Sequence, residues 1–178
     1  MTPARNVEIK ARVADAAALR IRVAGAATGP PVIIGQRDTF FAVARGRLKL
    51  RRFDDGTGEL IFYERNDTTG PTTSTYSRSA CSDAAGMEAV LARALGVRGV
   101  VEKRRELFMI GRTRVHLDDV RGLGHFVELE VVLEPSEPAA EGEREARALL
   151  ATLGVPPAAL LAPAYIDLLE HEHAAARP

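Results

Sequence analysis

The stretch FVELEV, Phe126 to Val131, alternates acidic and apolar residues, and its reading sets the fold. In a β-strand successive side chains face opposite ways, so Glu128 and Glu130 share one face while Val127, Leu129 and Val131 share the other. Three more stretches repeat the pattern. NVEIKAR (residues 6–12) sets Glu8, Lys10 and Arg12 against Val7 and Ile9, and GRLKLR (46–51) sets Arg47, Lys49 and Arg51 against Leu48 and Leu50. VEKRREL (101–107) puts Lys103 and Arg105 with Val101 on one face and Glu102, Arg104 and Glu106 on the other. An antiparallel sheet wetted on one side also alternates, and for any single strand that explanation suffices. An ordinary wetted face, however, mixes signs and includes Thr, Ser and Gln. Here like charges stand at i and i+2, an arrangement that costs repulsion unless a ligand of opposite sign offsets it. If the charged faces converge they form a pocket for a polyanion and its metal, and the apolar faces then point outward and need a cover of helices.

Composition narrows the choice. A chain of 178 residues suits one well-buried domain, read here as spanning residues 1–178. Lys plus Arg and Asp plus Glu both number 24, so no bulk field favours nucleic acid or an anionic membrane, and any positive site must be local. A single cysteine, Cys81, excludes an internal disulfide and a multi-cysteine zinc site and fits a reducing compartment. No apolar run approaches the roughly 20 residues that cross a bilayer, and MTPARNVEIK has no signal-peptide core. The expectation is a soluble cytoplasmic protein without nucleic-acid or membrane partners; a homodimer stays open.

Periodicity and breakers predict strands at Val7–Val13, Val32–Ile34, Asp38–Ala44, Leu48–Phe53 and Glu59–Glu64, the last two joined by the turn sequence DDGTG at 54–58. Asn66 to Ser79 reads as a polar loop running into a short strand near Thr75–Ser79. Further strands follow at Val100–Ile110, Thr113–Leu117 and His125–Leu133. Helices are expected at Asp15–Ala24, from a Ser82 N-cap to Leu95, at Glu141–Leu153 and at Ala164–His173, with Pro156-Pro157 interrupting the chain between the last two. The result is an α+β pattern of about eight antiparallel strands and three or four helices.

Five ordered elements now carry a resemblance: the NVEIK opening, GRLKLR, the Tyr63-Glu64-Arg65 step, VEKRREL, and HLDDVRGLGHFVELEV at residues 116–131. Together they resemble the CYTH superfamily, the triphosphate tunnel metalloenzymes, which includes class IV adenylyl cyclases, thiamine triphosphatases and inorganic triphosphatases. The HLD, GLG and ELE elements are most similar to the class IV cyclase branch, and the likeness runs from Asn6 to the YIDLL segment at Tyr165. It implies an eight-stranded antiparallel closed β-barrel, a triphosphate tunnel, with helices outside and a Mg²⁺ or Mn²⁺ ion held by carboxylates.

The residue chemistry agrees with that implication. Hard divalent ions take oxygen ligands, which suits Glu8, Glu128 and Glu130, with Asp118 near them. Lys10, Arg12, Lys49, Arg51, Arg65, Lys103, Arg105 and Arg114 are expected to bind the triphosphate, Arg through paired N–H donors and Lys as a point charge. Lys10, Lys49 and Arg105 are the expected catalytic groups. Eight cations against four acids leave a surplus of four positive charges, close to the charge of an ionised nucleoside triphosphate. One departure stands out: Asn6 occupies the place of the first glutamate of the superfamily's Glu-x-Glu-x-Lys opening, removing an anionic ligand. Less weight falls on His116, read as a strand-end histidine supporting its neighbours, on His125, His171 and His173, read as surface, and on Cys81, read as inert.

The resulting expectation is a metal-dependent enzyme acting on a nucleoside or organic triphosphate, resembling a class IV cyclase that turns ATP into cyclic AMP and pyrophosphate. The first alternative is a triphosphatase of thiamine triphosphate, inorganic triphosphate or a nucleoside triphosphate. The second, motivated by Asn6, is a non-catalytic nucleotide or polyphosphate-binding module.

Overall fold

A computed structural model describes residues 4–65 and 69–175. Nine strands occur among them: β1 (Ala4–Arg12), β2 (Val32–Phe41), β3 (Arg47–Phe53), β4 (Gly58–Arg65), β5 (Thr72–Cys81), β6 (Val97–Ile110), β7 (Thr113–Val120), β8 (Gly124–Val132) and β9 (Leu160–Leu161). The helices are α1 (Ala16–Ala26), α2 (Ala84–Leu95), α3 (Ala139–Thr152) and α4 (Tyr165–Ala175). The sheet order is β5-β4-β3-β2-β6-β7-β8-β1, all neighbours antiparallel, and β1 also pairs with β5, so eight strands close into a barrel. Closure removes the sheet's free edges. Where β5 no longer reaches β1, the two-residue β9 pairs with Lys10 and Ala11 instead.

The apolar strand faces point outward, as their alternation requires. Val7, Ile9 and Ala11 of β1, Val115 of β7 and Val127, Leu129 and Val131 of β8 are at most 2 % exposed, under Leu19 and Val23 of α1 and Ala146 and Leu150 of α3. Each large apolar side chain so buried contributes about 1.5–3 kcal/mol relative to exposure. A smaller cluster of Phe41, Leu50 and Ala84 holds α2 against the other wall. A third cluster seals one end of the barrel: Phe40, Val101, Val120 and Phe126 pack against Ala164, Tyr165 and Ile166 at the start of α4. At that end Arg47 binds Asp167 (3.0 Å), and Arg98 joins Asp167 to Glu170. The outward residues of β6 also behave as their parity predicts, Glu106 bonding Arg20 of α1 at 2.7 Å.

Several expectations need correction. The two strands expected at Val32–Ile34 and Asp38–Ala44 are the single strand β2, in which Gly35 stays paired with Arg104 of β6; a side chain there would collide with the Asp54 carboxylate. The polar segment read largely as loop is the ten-residue β5; residues 66–68 of that segment lie outside those described. Both faces of β5 are polar: Ser74 and Tyr76 line the cavity, and Ser77 and Ser79 on the other face are exposed. The N-cap of α2 is Asp83, which accepts a hydrogen bond from the Gly86 amide at 2.9 Å, and not Ser82. Strand β7 continues past Leu117 to Val120, which puts Asp118 inside the ladder opposite Arg105. No helix among the described residues is long and apolar enough to cross a membrane.

Candidate active site

The inward faces of the eight strands enclose a cavity of about 410 Å³, within the usual range for small-molecule sites. Glu8 and Lys10 of β1 face it, beside Glu128 and Glu130 of β8, in a register that sets Glu8 opposite Glu130 and Lys10 opposite Glu128. The opposing wall supplies Lys49 and Arg51 from β3 and Lys103 and Arg105 from β6.

Two buried carboxylates organise the cations. Asp38 accepts from Lys49 Nζ (2.8 Å) and from Arg51 Nε and Nη2 (both 2.8 Å). Burial alone would favour its neutral acid, but Arg51 and Lys49 outweigh that and hold its pKa well below the usual carboxylate range. Asp118 accepts from Arg105 Nε (2.7 Å) and Nη2 (2.6 Å), Lys103 Nζ (3.2 Å) and the Tyr165 hydroxyl (3.0 Å). Burial is again outweighed, here by Arg105 and Lys103, and Asp118 stays ionised. Four donors match the roughly four lone-pair sites of a carboxylate. Asp118 therefore aims the cations and does not join the other acids.

The sealed end forms the cavity floor. Lys10 Nζ donates to the Pro163 carbonyl (3.0 Å) and lies 4.3 Å from the Tyr165 ring centroid, while Lys103 Nζ lies 5.0 Å from the same ring. Such cation–π contacts hold ammonium groups in place without neutralising them. Burial lowers the Lys10 pKa to about 8, and burial with the neighbouring Arg51 lowers that of Lys49 to about 8. An incoming anion would restore both to full charge. Arg65 donates to the Ala162 carbonyl (3.2 Å) and approaches Glu8 at 3.9 Å. Opposite the floor the wall mixes apolar Ile34, Phe53 and Leu107, near the ends of their strands, with Glu59, Arg78 and Arg114, the first two paired at 3.7 Å.

Glu8 is the misfit. Burial first, and then repulsion from Glu128 and Glu130, raise its pKa to about 7. His116, Glu128 and Glu130 form a group that could hold a metal, each offering a ligand atom within 4.8 Å of the others. Their side chains face the cavity and fit an oxygen-rich divalent site; Glu8 sits across the ladder from Glu130.

Of the residues expected from the sequence, Lys10, Lys49, Arg51, Arg65, Lys103, Arg105, Arg114, Glu8, Glu128 and Glu130 all face the cavity. Arg12 does not: it lies at the sealed end, donating to the Leu123 carbonyl (2.8 Å) and stacking over Phe126 at 4.9 Å. Asp38, Glu59, Arg78 and Tyr165 line the cavity as well, and so does His116. The lining holds eight Lys and Arg side chains against five carboxylates, a surplus of three rather than four. Asp38 left a faint trace in the sequence, sharing inward parity with Gln36 and Phe40 in GQRDTFF (35–41).

The fold recurs in known structures. The PH1012 protein from Pyrococcus horikoshii is 22 % identical, covers 92 % of this chain and 98 % of its own, and superposes with a TM-score of 0.79. A candidate adenylate cyclase from Vibrio parahaemolyticus is 19 % identical over 93 % of this chain and 97 % of its own, with a TM-score of 0.76. A candidate adenylyl cyclase from Hippeastrum, reported to have a dominant triphosphatase activity, is 15 % identical over 94 % and 96 % at 0.66. At these identities the likeness is one of fold. No curated protein matches the chain in sequence. The model of the CYTH domain matches residues 4–165, nearly the whole barrel and its sealed end, and the chain belongs to the CYTH domain family.

Proposed function

We propose that this protein is a divalent-metal-dependent enzyme acting on a nucleoside or other organic triphosphate, and that it converts ATP to cyclic AMP and pyrophosphate. The observation that carries the reading is a cavity closed at one end, with Lys10, Lys49, Lys103 and Arg105 deep inside it and a mixed rim of apolar and charged side chains at the other end. With its terminal phosphate inward among the deep cations, a triphosphate would place its organic group at the rim, beside Ile34, Phe53 and Leu107.

Lys10, Lys49, Lys103 and Arg105 would grip the phosphate chain, already oriented by Asp38, Asp118 and Tyr165, so little reorganisation remains when charge develops. A divalent ion held at Glu128 and Glu130 would supply charge neutralisation and polarise the phosphoryl group under attack. Packing of the organic group at the mouth would set the ribose 3′-hydroxyl in line with the α-phosphorus. The same clamp can present the terminal phosphorus to water, so hydrolysis is the competing outcome. Chromatography of products from ATP, thiamine triphosphate and inorganic triphosphate, with Mg²⁺ or Mn²⁺, tests the proposal. Cyclic AMP with pyrophosphate supports it, orthophosphate without cyclic AMP makes the protein a triphosphatase, and no product with any triphosphate makes it a binding module.

A further inference from the structure

The imidazole of His116 is out of place among hydrogen-bonded neighbours. The residue is 3 % exposed, and its Nδ1 is buried without a hydrogen-bond partner. That atom points at two carboxylates, 3.5 Å from Glu128 Oε1 and 3.9 Å from Glu130 Oε1. Both distances exceed those of a good N–H···O bond, about 2.9 Å. With a proton on Nδ1 the ring forgoes a short bond to an adjacent carboxylate; without one, three electron-rich atoms converge on one another. A cation between them resolves either case. Six-coordinate ligand atoms bound at about 2.1 Å stand about 3 Å apart when adjacent and about 4.2 Å when opposite, so the observed spread of up to 4.8 Å closes with small side-chain rotations.

We propose that His116 is a metal ligand, and that with Glu128 and Glu130 it makes this a manganese-type centre selective for borderline divalent ions over Mg²⁺. Its place in the barrel supports this. His116 lies directly opposite Glu128 in the β7–β8 ladder, so backbone pairing fixes imidazole and carboxylate side by side. Asn6 offers the same interior a neutral amide rather than a charge, and Asp118 is consumed by its four donors, so His116 stands beside few competing anionic ligands. Mg²⁺ demands oxygen and sheds water reluctantly, whereas imidazole increasingly favours ions from Mn²⁺ along the first transition row. The inference concerns the metal of the proposed enzyme but does not depend on what that enzyme does with a triphosphate.

The test uses the full-length, metal-free protein titrated with Mn²⁺, without triphosphate, and followed by electron paramagnetic resonance. Electron spin-echo modulation of the bound Mn²⁺ should show a directly coordinated ¹⁴N, replaced by the ¹⁵N pattern when histidine is ¹⁵N-labelled. In competition Mn²⁺ should bind about tenfold or more tightly than Mg²⁺, and His116→Ala should cut that preference to about threefold or less. The labelled wild-type spectrum decides the matter even if the variant fails to fold. Bound Mn²⁺ without nitrogen modulation, an equal metal preference in wild type and variant, or no Mn²⁺ binding would each overturn the proposal. A protein that turns over ATP yet shows no nitrogen modulation fails this inference and leaves the enzymatic reading intact.

Discussion

Replacing Glu8 by glutamine should stabilise the metal-free protein at alkaline pH and leave it unchanged at acid pH. Glu8 is buried opposite Glu130 and near Glu128, which together lift its pKa from 4.5 to about 7. The folded state therefore holds the Glu8 proton more tightly than the unfolded chain does. Stability on this account is complete below pH 4.5 and declines as the pH rises from 4.5 through 7, where the folded protein must ionise an acid the unfolded chain has already ionised. A shift of that size, at 1.36 kcal/mol per unit, amounts to about 3 kcal/mol above pH 8. For a chain of this length each kcal/mol moves the melting temperature by about 2–4 °C, so Glu8→Gln should melt about 6–12 °C above wild type at pH 8.5 and within about 1 °C of it at pH 4.5. Thermal denaturation in a chelator across that pH range reads the difference directly. A gain of equal size at both ends, or a loss at pH 8.5, would show that Glu8 is not held in an electrostatically unfavourable position. Saturating Mn²⁺ should erase most of the gain, because the bound charge relieves wild-type Glu8 as well.

Other substitutions separate support from chemistry. Asp118→Asn strands Lys103 and Arg105 as buried cations and should cost about 3–5 kcal/mol in urea denaturation; a loss under 1 kcal/mol would mean that Tyr165 and water take over its role. Glu130→Gln should remove most turnover while leaving the melting temperature equal or higher, and full activity in that variant would reduce the acid pair to a charged strand face. Binding of inorganic triphosphate, measured by calorimetry with Mn²⁺ present, should weaken as salt rises because charge contacts dominate it; the absence of binding at low salt in folded protein would remove the tunnel reading.

What the sequence disclosed and what it hid divide along one physical line. Period-two alternation is local, so the inward parity of Glu8, Lys10, Lys49, Arg51, Lys103, Arg105, Glu128 and Glu130 could be read directly, and all of them face the cavity. Which acid would hold which cation could not be read, because Asp38 meets Lys49 and Arg51 across one ladder and Asp118 meets Lys103 and Arg105 across another. Arg12 has the right parity but too late a position: β1 has left the cavity by that residue and entered the packed end. Strand β5 was obscured for another reason: Ser74 and Tyr76 line the polar interior while Ser77 and Ser79 on its other face are exposed, so it lacks the apolar face that betrays β1 and β8. Helix α2 shows a further limit. Met87 and Val90 follow the helical spacing of a core face, yet both are exposed, and Ala84 is the helix's buried residue.

The seal formed by Phe40, Val101, Phe126, Ala164 and Tyr165 turns a tube into a flask, and a flask empties in a fixed order. Whatever lies deepest leaves last. On the proposed orientation, a substrate split within its phosphate chain would lose its organic fragment before the inorganic one could follow, and for the proposed reaction pyrophosphate would be the final product on the protein. Added pyrophosphate should then compete directly with ATP for the empty enzyme, and the rate of its escape past Ile34, Phe53 and Leu107 would bound the turnover of the whole cycle.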